Sequence, residues 1–291
     1  MKIKLTGSNG YIGQLISTDL QKKGHAVSGI NRDLLYAPSS SLQEELRNTD
    51  VVINLAGAPI LQRWTKKNKE TIYNSRVVTT HNLVKAIIEL PESERPGKVI
   101  SASAIGIYKS GDSHTEESIN FDEGFVGKVV KDWEHELTAL PGRMPTIIFR
   151  LGVVFGKESQ TIKNMLLPFK LGLGGKIGSG EQSFPFIHEK DVVNAFVWAT
   201  ETLKTSDTFN LTAPETISNK EFTRNFARQV NRPAFFTIPT FALKMLFGKA
   251  ASLLTASPQV SSTKLQKAGF YFEYPTIKDT LQNIIVKSQK V

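Results

Sequence analysis

The chain has 291 residues, enough for a full α/β domain and a smaller one beside it, and 40% hydrophobic with 22% charged residues is ordinary for a folded globular protein. The net charge of +9 comes from 36 basic against 27 acidic side chains. The basic residues are scattered and carry no nucleic-acid fold signature, so the excess suits a phosphate-bearing ligand and nucleic acid is not expected as a partner. Cysteine is absent, which removes disulfides, thiolate nucleophiles and cysteine-based zinc sites and agrees with a cytoplasmic location.

The first residues run straight into a strand over Ile3–Thr6, which leaves no room for a signal peptide. Thr6-Gly7-Ser8-Asn9-Gly10-Tyr11-Ile12-Gly13 follows it and opens a helix over Tyr11–Lys23. In that context Gly7 permits a tight turn, and Gly10 lets a pyrophosphate approach the backbone. Gly13 lets helix and strand pack closely, and Asn9, Tyr11 and Ile12 lie on the loop and the helix N-terminus that would hold the phosphates. The second strand, Ala26–Ile30, ends in Asn31-Arg32-Asp33. A guanidinium at Arg32 would pair with a 2′-phosphate and stack on adenine, so NADP(H) is favoured; Asp33 keeps NAD(H) open, because a carboxylate near the ribose would suit it.

The third strand, Val51–Asn54, leads into Leu55-Ala56-Gly57-Ala58-Pro59, where small residues let a cofactor pass close to the backbone. Asn54 either holds the strand-end turn or satisfies local backbone groups. A helix is predicted over Asn68–Glu89, then a strand over Lys98–Ala102, whose Ser101 and Ala102 would border the cofactor. Helix Val126–Leu140, strand Thr146–Arg150, helix Lys190–Glu201 and strand Thr208–Leu211 continue the alternation. This βαβ rhythm predicts an α/β fold, a Rossmann doubly wound parallel sheet formed by residues 1–155 and 185–212.

Residues 156–184 and 213–291 read as a smaller C-terminal α+β satellite domain over the carboxyl ends of the strands, where open α/β sheets place their substrates. Its glycine-rich Leu173–Gly180 stretch ends a helix and forms a turn and short strand. Phe241, Met245, Leu246, Phe247, Leu253 and Leu254 form an apolar helical face expected to be buried inside the satellite; a dimer face or a membrane contact are the other readings. Pro239, Lys244, Gly248 and Lys249 interrupt that stretch and exclude a membrane span, so no membrane partner is expected and a homodimer stays open.

Several segments carry a family resemblance. The glycine spacing, Asn54-Leu55-Ala56-Gly57, Ser103-Ala104-Ile105-Gly106-Ile107-Tyr108 and Arg150-Leu151-Gly152-Val153-Val154-Phe155-Gly156 resemble the extended short-chain dehydrogenase/reductases. Arg63-Trp64-Thr65, Ser75-Arg76-Val77, Trp133-Glu134, Pro168–Gly175, Phe186-Ile187-His188, Asn210–Pro214 and Ala268-Gly269-Phe270 resemble the atypical branch labelled NAD(P)-dependent epimerase/dehydratase-like, or nucleoside-diphosphate-sugar epimerase-like. The resemblance covers almost the whole chain. It implies a serine, with a tyrosine and a lysine four residues later on the next helix, as the proton-handling group.

Ser103 fits the serine position. The helix that should carry the pair reads Asp122–Glu134 and contains no tyrosine. Tyr274 and Lys278 have the spacing, but Pro275 interrupts a helix there. Tyr108 and His188 are the substitutes to test, Tyr108 as an aromatic lining the nicotinamide end or a packed ring with a satisfied hydroxyl, His188 as a tuned proton donor or a structural hydrogen bonder. Glu116 caps a turn or holds a substrate hydroxyl; Arg63, Arg76 and Arg150 bind anions or form salt bridges. No metal site and no serine-hydrolase elbow occur. The expectation is an NADP(H)-binding oxidoreductase or epimerase for a small polar or sugar-like substrate. The alternative is an NADP(H)-sensing protein without turnover.

Overall fold

A computed structural model describes residues 1–255 and 258–285. The elements run β1 (Lys2–Thr6), α1 (Tyr11–Lys22), β2 (Ala26–Gly29), α2 (Ser39–Leu46), β3 (Val51–Asn54), α3 (Lys66–Tyr73), α4 (Thr79–Glu89), β4 (Lys98–Ala104), β5 (Ser113–His114), α5 (Phe125–Leu137), β6 (Thr146–Leu151) and β7 (Val153–Phe155). Then come α6 (Gln160–Lys170), β8 (Gly175–Ile177), β9 (Phe186–His188), α7 (Glu189–Glu201), β10 (Asp207–Leu211), α8 (Asn219–Gln229), β11 (Phe236–Ile238), α9 (Thr240–Phe247), α10 (Ser252–Thr255), β12 (Gln259–Val260), α11 (Thr263–Lys267) and α12 (Ile277–Ile284).

Six strands form one sheet in the order β10-β6-β4-β3-β1-β2, every neighbouring pair parallel. This is the doubly wound α/β arrangement expected from the alternation of short apolar runs with helices. Both faces of the sheet are covered. Ile3, Leu5, Ile53, Ile100 and Ile147 belong to a buried cluster with Ile16 of α1 and Val192 and Phe196 of α7. Val52 and Val99 join Leu42 of α2, Leu83 and Ile87 of α4 and Leu137 of α5 in a second cluster. The alternation along each strand therefore sends successive residues to opposite helix layers.

The predicted helix over Asn68–Glu89 is interrupted. α3 and α4 are separated by a π-helical turn over Asn74–Val78, whose wider winding inserts an extra residue without breaking the helical path.

Beyond the sheet, Phe155, Phe169, Phe186, Phe222, Phe226, Ile277 and Leu281 gather in a third apolar cluster, with Phe155 stacked on Phe222 at 5.3 Å. α8 in this region starts with a capping box between Ser218 and Glu221. Leu265, Phe270 and Phe272, although late in the chain, pack into the cluster that covers the sheet. The apolar helix face expected to be buried is not: α9 has no buried residue, and Phe241, Met245 and Leu246 are 65%, 72% and 64% exposed. A helix this apolar carries the hydrophobic pattern of a core element, but no element among the described residues covers that side. Leu253 packs partly against Ile105, Tyr108 and Val260. Among the described residues no helix is long and apolar enough to cross a membrane.

Candidate functional site

At the carboxyl ends of β1 and β3 the chain leaves a cleft of about 510 Å³. Gly7 turns there with φ +69°, and a Cβ on it would lie 2.8 Å from the Leu55 carbonyl oxygen, so no other residue makes this turn without strain. The Gly10 amide donates to the Gly7 carbonyl at 2.9 Å, closing the loop. A Cβ on Gly13 would sit 2.3 Å from that same carbonyl, so glycine there lets α1 press against the loop. Gly10 caps α1 without a side-chain acceptor, which leaves first-turn amides for an anion.

The β3 end is fixed by Thr6, whose hydroxyl donates to Asn54 Oδ1 at 2.7 Å and accepts from the Leu55 and Ala56 amides at 3.0 and 3.1 Å. Asn54 Nδ2 donates onward to Thr80 at 2.9 Å and Ser101 at 3.2 Å. Asn54 thus ties three neighbouring strands and a helix rather than capping a local turn.

The cleft brings together Gly7, Asn9, Gly10, Arg32, Leu55, Ala56 and Gly57 of the predicted cofactor residues. Asp33 is not on its lining; its amide donates to Asn31 in the turn after β2. Tyr11, Ile12, Gly13, Ser101 and Ala102 also lie off the lining. Tyr11 donates to the Glu189 carboxylate, Ser101 donates to the carbonyl of Ala102, and Ala102 is in the apolar core. Burial holds that Glu189 carboxyl above its usual range. The sequence reading missed Tyr36, Gln62, Thr71, Ser75 and Thr79, which also line the cleft. The last three recur every four residues, a polar stripe that helical spacing could have revealed.

The neighbouring half of the edge, at β4, β6 and β10, is closed by side chains. Ser103 donates to Glu134 Oε1 at 2.5 Å. Arg150 grips both carboxylate oxygens of Glu134, Nε to Oε1 at 2.8 Å and Nη2 to Oε2 at 2.7 Å. Its Nη1 donates to the Tyr108 hydroxyl at 2.7 Å, and that hydroxyl donates to Asn210 Oδ1 at 2.7 Å. Burial pulls the Arg150 guanidinium down, but the hydrogen bonds and charge of Glu134 more than offset it and hold it above its usual value. Burial likewise pushes the Tyr108 phenol up, against the opposing pull of Arg150. The Glu116 carboxylate, raised by burial, accepts from the Asn210 amide at 2.7 Å and so pins β10.

None of the three candidate catalytic residues, Ser103, Tyr108 and His188, is on the cleft lining, and Ser103 is 3% exposed. Tyr108 is 2% exposed, with its hydroxyl engaged on both sides and its ring stacked 4.8 Å from His114. His188 caps α7: its Nδ1 accepts from the Lys190 amide at 3.0 Å, its Nε2 meets Asn283 at 3.2 Å, and its ring stacks 3.8 Å from Tyr274. Burial pulls its pKa down to about 4, which keeps it neutral and fit for the cap. Tyr274 serves as its stacking partner. Arg63 donates to the Met245 carbonyl at 2.9 Å. Sequence reasoning set no role on Glu134, although it lies on the helix already searched for a tyrosine.

A second open cleft, about 710 Å³, lies between α8, Lys176 of β8 and the segment 231–235, and contains none of the predicted site residues. Among the described residues no group of three or more histidine, aspartate or glutamate side chains is arranged to hold a metal.

Comparison with known proteins gives the same picture. Residues 3–212 match the model of the NAD dependent epimerase/dehydratase family, and residues 238–284 match a domain of unknown function, DUF1731. The chain is 31% identical over 306 residues to the epimerase family protein YfhF of Bacillus subtilis, covering 100% of both. It is 32% identical over 297 residues to the epimerase family protein SDR39U1 of Mus musculus, covering 98% of this chain and 100% of the mouse protein. The crystal structure of human SDR39U1 (isoform 2) with NADPH superposes with a TM-score of 0.90 at 30% identity, covering 98% of this chain and 99% of that one.

Proposed function

The chain belongs to the NAD dependent epimerase/dehydratase family, and from that premise we propose that it is an NADP(H)-dependent oxidoreductase or epimerase acting on a small polar, sugar-like substrate. The observation that carries this reading is the convergence of the glycine loop and Arg32 on one cleft. Gly7, Gly10 and the α1 N-terminus would hold the pyrophosphate, and Arg32 the 2′-phosphate. NADPH in the structure of human SDR39U1 supports the same choice. A bound nicotinamide supplies hydride exchange with a carbinol or carbonyl carbon.

Proton handling falls to Ser103 and Glu134 in this reading. The Ser103 hydroxyl already donates to Glu134, so its oxygen is oriented to accept a proton from a substrate hydroxyl while its own passes to the carboxylate. Arg150 fixes the carboxylate in place. The test is turnover of NADPH or NADP⁺ with a panel of carbonyl, hydroxyl and nucleotide-sugar compounds. Ser103→Ala is expected to lower kcat by about 10² to 10⁴ with NADPH affinity within about twofold. Turnover untouched by that change would remove the relay.

One observation favours a second reading, a cofactor-sensing protein without turnover: Tyr108 has its hydroxyl held by Arg150 and Asn210, and α5 carries no tyrosine. Tight NADPH binding, NADPH-dependent association with a partner and no consumption across the panel would select it.

A further inference from the structure

Between the two halves of the sheet edge lies a cation that no carboxylate among the described residues neutralises. Arg76 sits in the π-helical turn, partly buried, and makes no ion pair among the described residues. Its Nη2 donates to the Ala58 carbonyl at 2.9 Å and its Nη1 to the Ile72 carbonyl at 3.3 Å, which uses two hydrogens of a five-donor fork. The guanidinium lies against Gly57, where a Cβ would come within 3.2 Å of it, and 5.7 Å from the Trp133 ring. The indole N–H of Trp133 is itself buried without an acceptor. Ser75, next in the chain, accepts from the Ala58 amide at 2.9 Å and, with Gly57, lines the cleft.

A partly buried guanidinium without a carboxylate is costly, and proteins keep one where a ligand brings the negative charge. Arg150, by contrast, is gripped at two points by Glu134. We propose that Arg76 is an oxyanion receptor beside the dinucleotide cleft, against its lining residue Gly57, taking a phosphate or carboxylate carried by either the cofactor's pyrophosphate or the substrate. The glycine at 57 makes room for the planar fork, the Ala58 and Ile72 carbonyls orient it, and Trp133 backs its face. Burial alone pulls the group down to about 10, so it stays charged at neutral pH.

This site rests on the dinucleotide reading for its location but not on turnover, so binding measurements separate the two. Calorimetry on the full chain would compare the wild type with Arg76→Met and Arg76→Lys, using NADPH, inorganic pyrophosphate on the apoprotein, and malonate on the NADPH-saturated protein. A tenfold or greater loss of NADPH and pyrophosphate affinity in Arg76→Met assigns the receptor to the cofactor. A tenfold loss of malonate binding with NADPH affinity intact assigns it to the substrate. Loss of pyrophosphate binding in a protein that never binds NADPH would keep the receptor and remove the proposed function. Affinities for all three within twofold of wild type in both variants would overturn the receptor. If Arg76→Met does not fold, Gly57→Ala, which crowds the guanidinium while keeping its charge, is expected to weaken the same ligand, and unchanged affinities there and in Arg76→Lys would equally overturn it.

Discussion

At the ends of β1 and β3 the chain faces its cleft with glycines, small side chains and a first turn of α1 that no side chain caps, whereas at the ends of β4, β6 and β10 Ser103, Glu134, Arg150, Tyr108 and Asn210 are partnered to one another. The first arrangement suits a ligand that brings its own charge, because no side chain accepts from the first-turn amides of α1. The second holds itself together: Ser103, Glu134, Arg150, Tyr108 and Asn210 form one continuous chain of hydrogen bonds across three strands and a helix. One sheet edge thus combines an open cleft with a locked network, and the proposed proton relay runs through the locked part.

The sharpest way to break that contrast is to unlock the network. Glu134→Ala leaves Arg150 with a charge at 8% side-chain exposure and no counter-ion, and is expected to cost about 3–5 kcal/mol in denaturant unfolding. A cost under about 1 kcal/mol would mean that water, not Glu134, neutralises Arg150.

His188 tests the same rigidity at the start of α7. Its folded pKa of about 4 lies below the ordinary value of 6.5, so the unfolded chain takes up the proton first as pH falls. The stability it contributes is complete above pH 6.5 and declines as pH drops from there to about 4, by roughly 3 kcal/mol in total. His188→Asn keeps a capping acceptor and loses the titration, so its unfolding free energy is expected to fall less than that of the wild type across that window. Parallel curves would show that His188 is solvated.

Tyr108→Phe leaves Arg150 Nη1 and Asn210 Oδ1 without the hydroxyl and is expected to cost about 2 kcal/mol of stability by thermal or denaturant unfolding. On the open side the expected effect is smaller and confined to the ligand. Arg32→Ala should weaken NADPH about tenfold, near 1.4 kcal/mol, and leave NADH unchanged in equilibrium titration. Equal weakening of both nucleotides would remove Arg32 from the 2′-phosphate.

The open half was the more legible in the sequence, for a physical reason. A glycine demanded by φ +69° or by a carbonyl 2.3 Å away leaves a fixed local spacing, and a buried parallel strand leaves an apolar run, so both are written in consecutive residues. The six sheet strands were accordingly located to within a residue or two at their ends. The locked half depends on residues far apart in the chain, and no local pattern marks Glu134 as the partner of both Ser103 and Arg150. Tyr108 fitted a family position by spacing, but only the fold shows its hydroxyl engaged. The exposed apolar face of α9 misled for a related reason, since hydrophobicity records what a helix could bury and not whether a neighbour arrives.

The π-helical turn at Asn74–Val78 sets the rotation of one helix relative to the next. Thr71 before the turn and Ser75 within it look into the cleft, and beyond it Leu83 and Ile87 press on Val52 and Val99. An α-helix advances about 100° per residue, so deleting one residue from the turn would restore ordinary winding and swing the two segments out of phase by that angle. Either the hydroxyls would leave the ligand or the leucine and isoleucine would leave the core. That single surplus residue is a gear tooth keeping an aqueous face and an oily face in step.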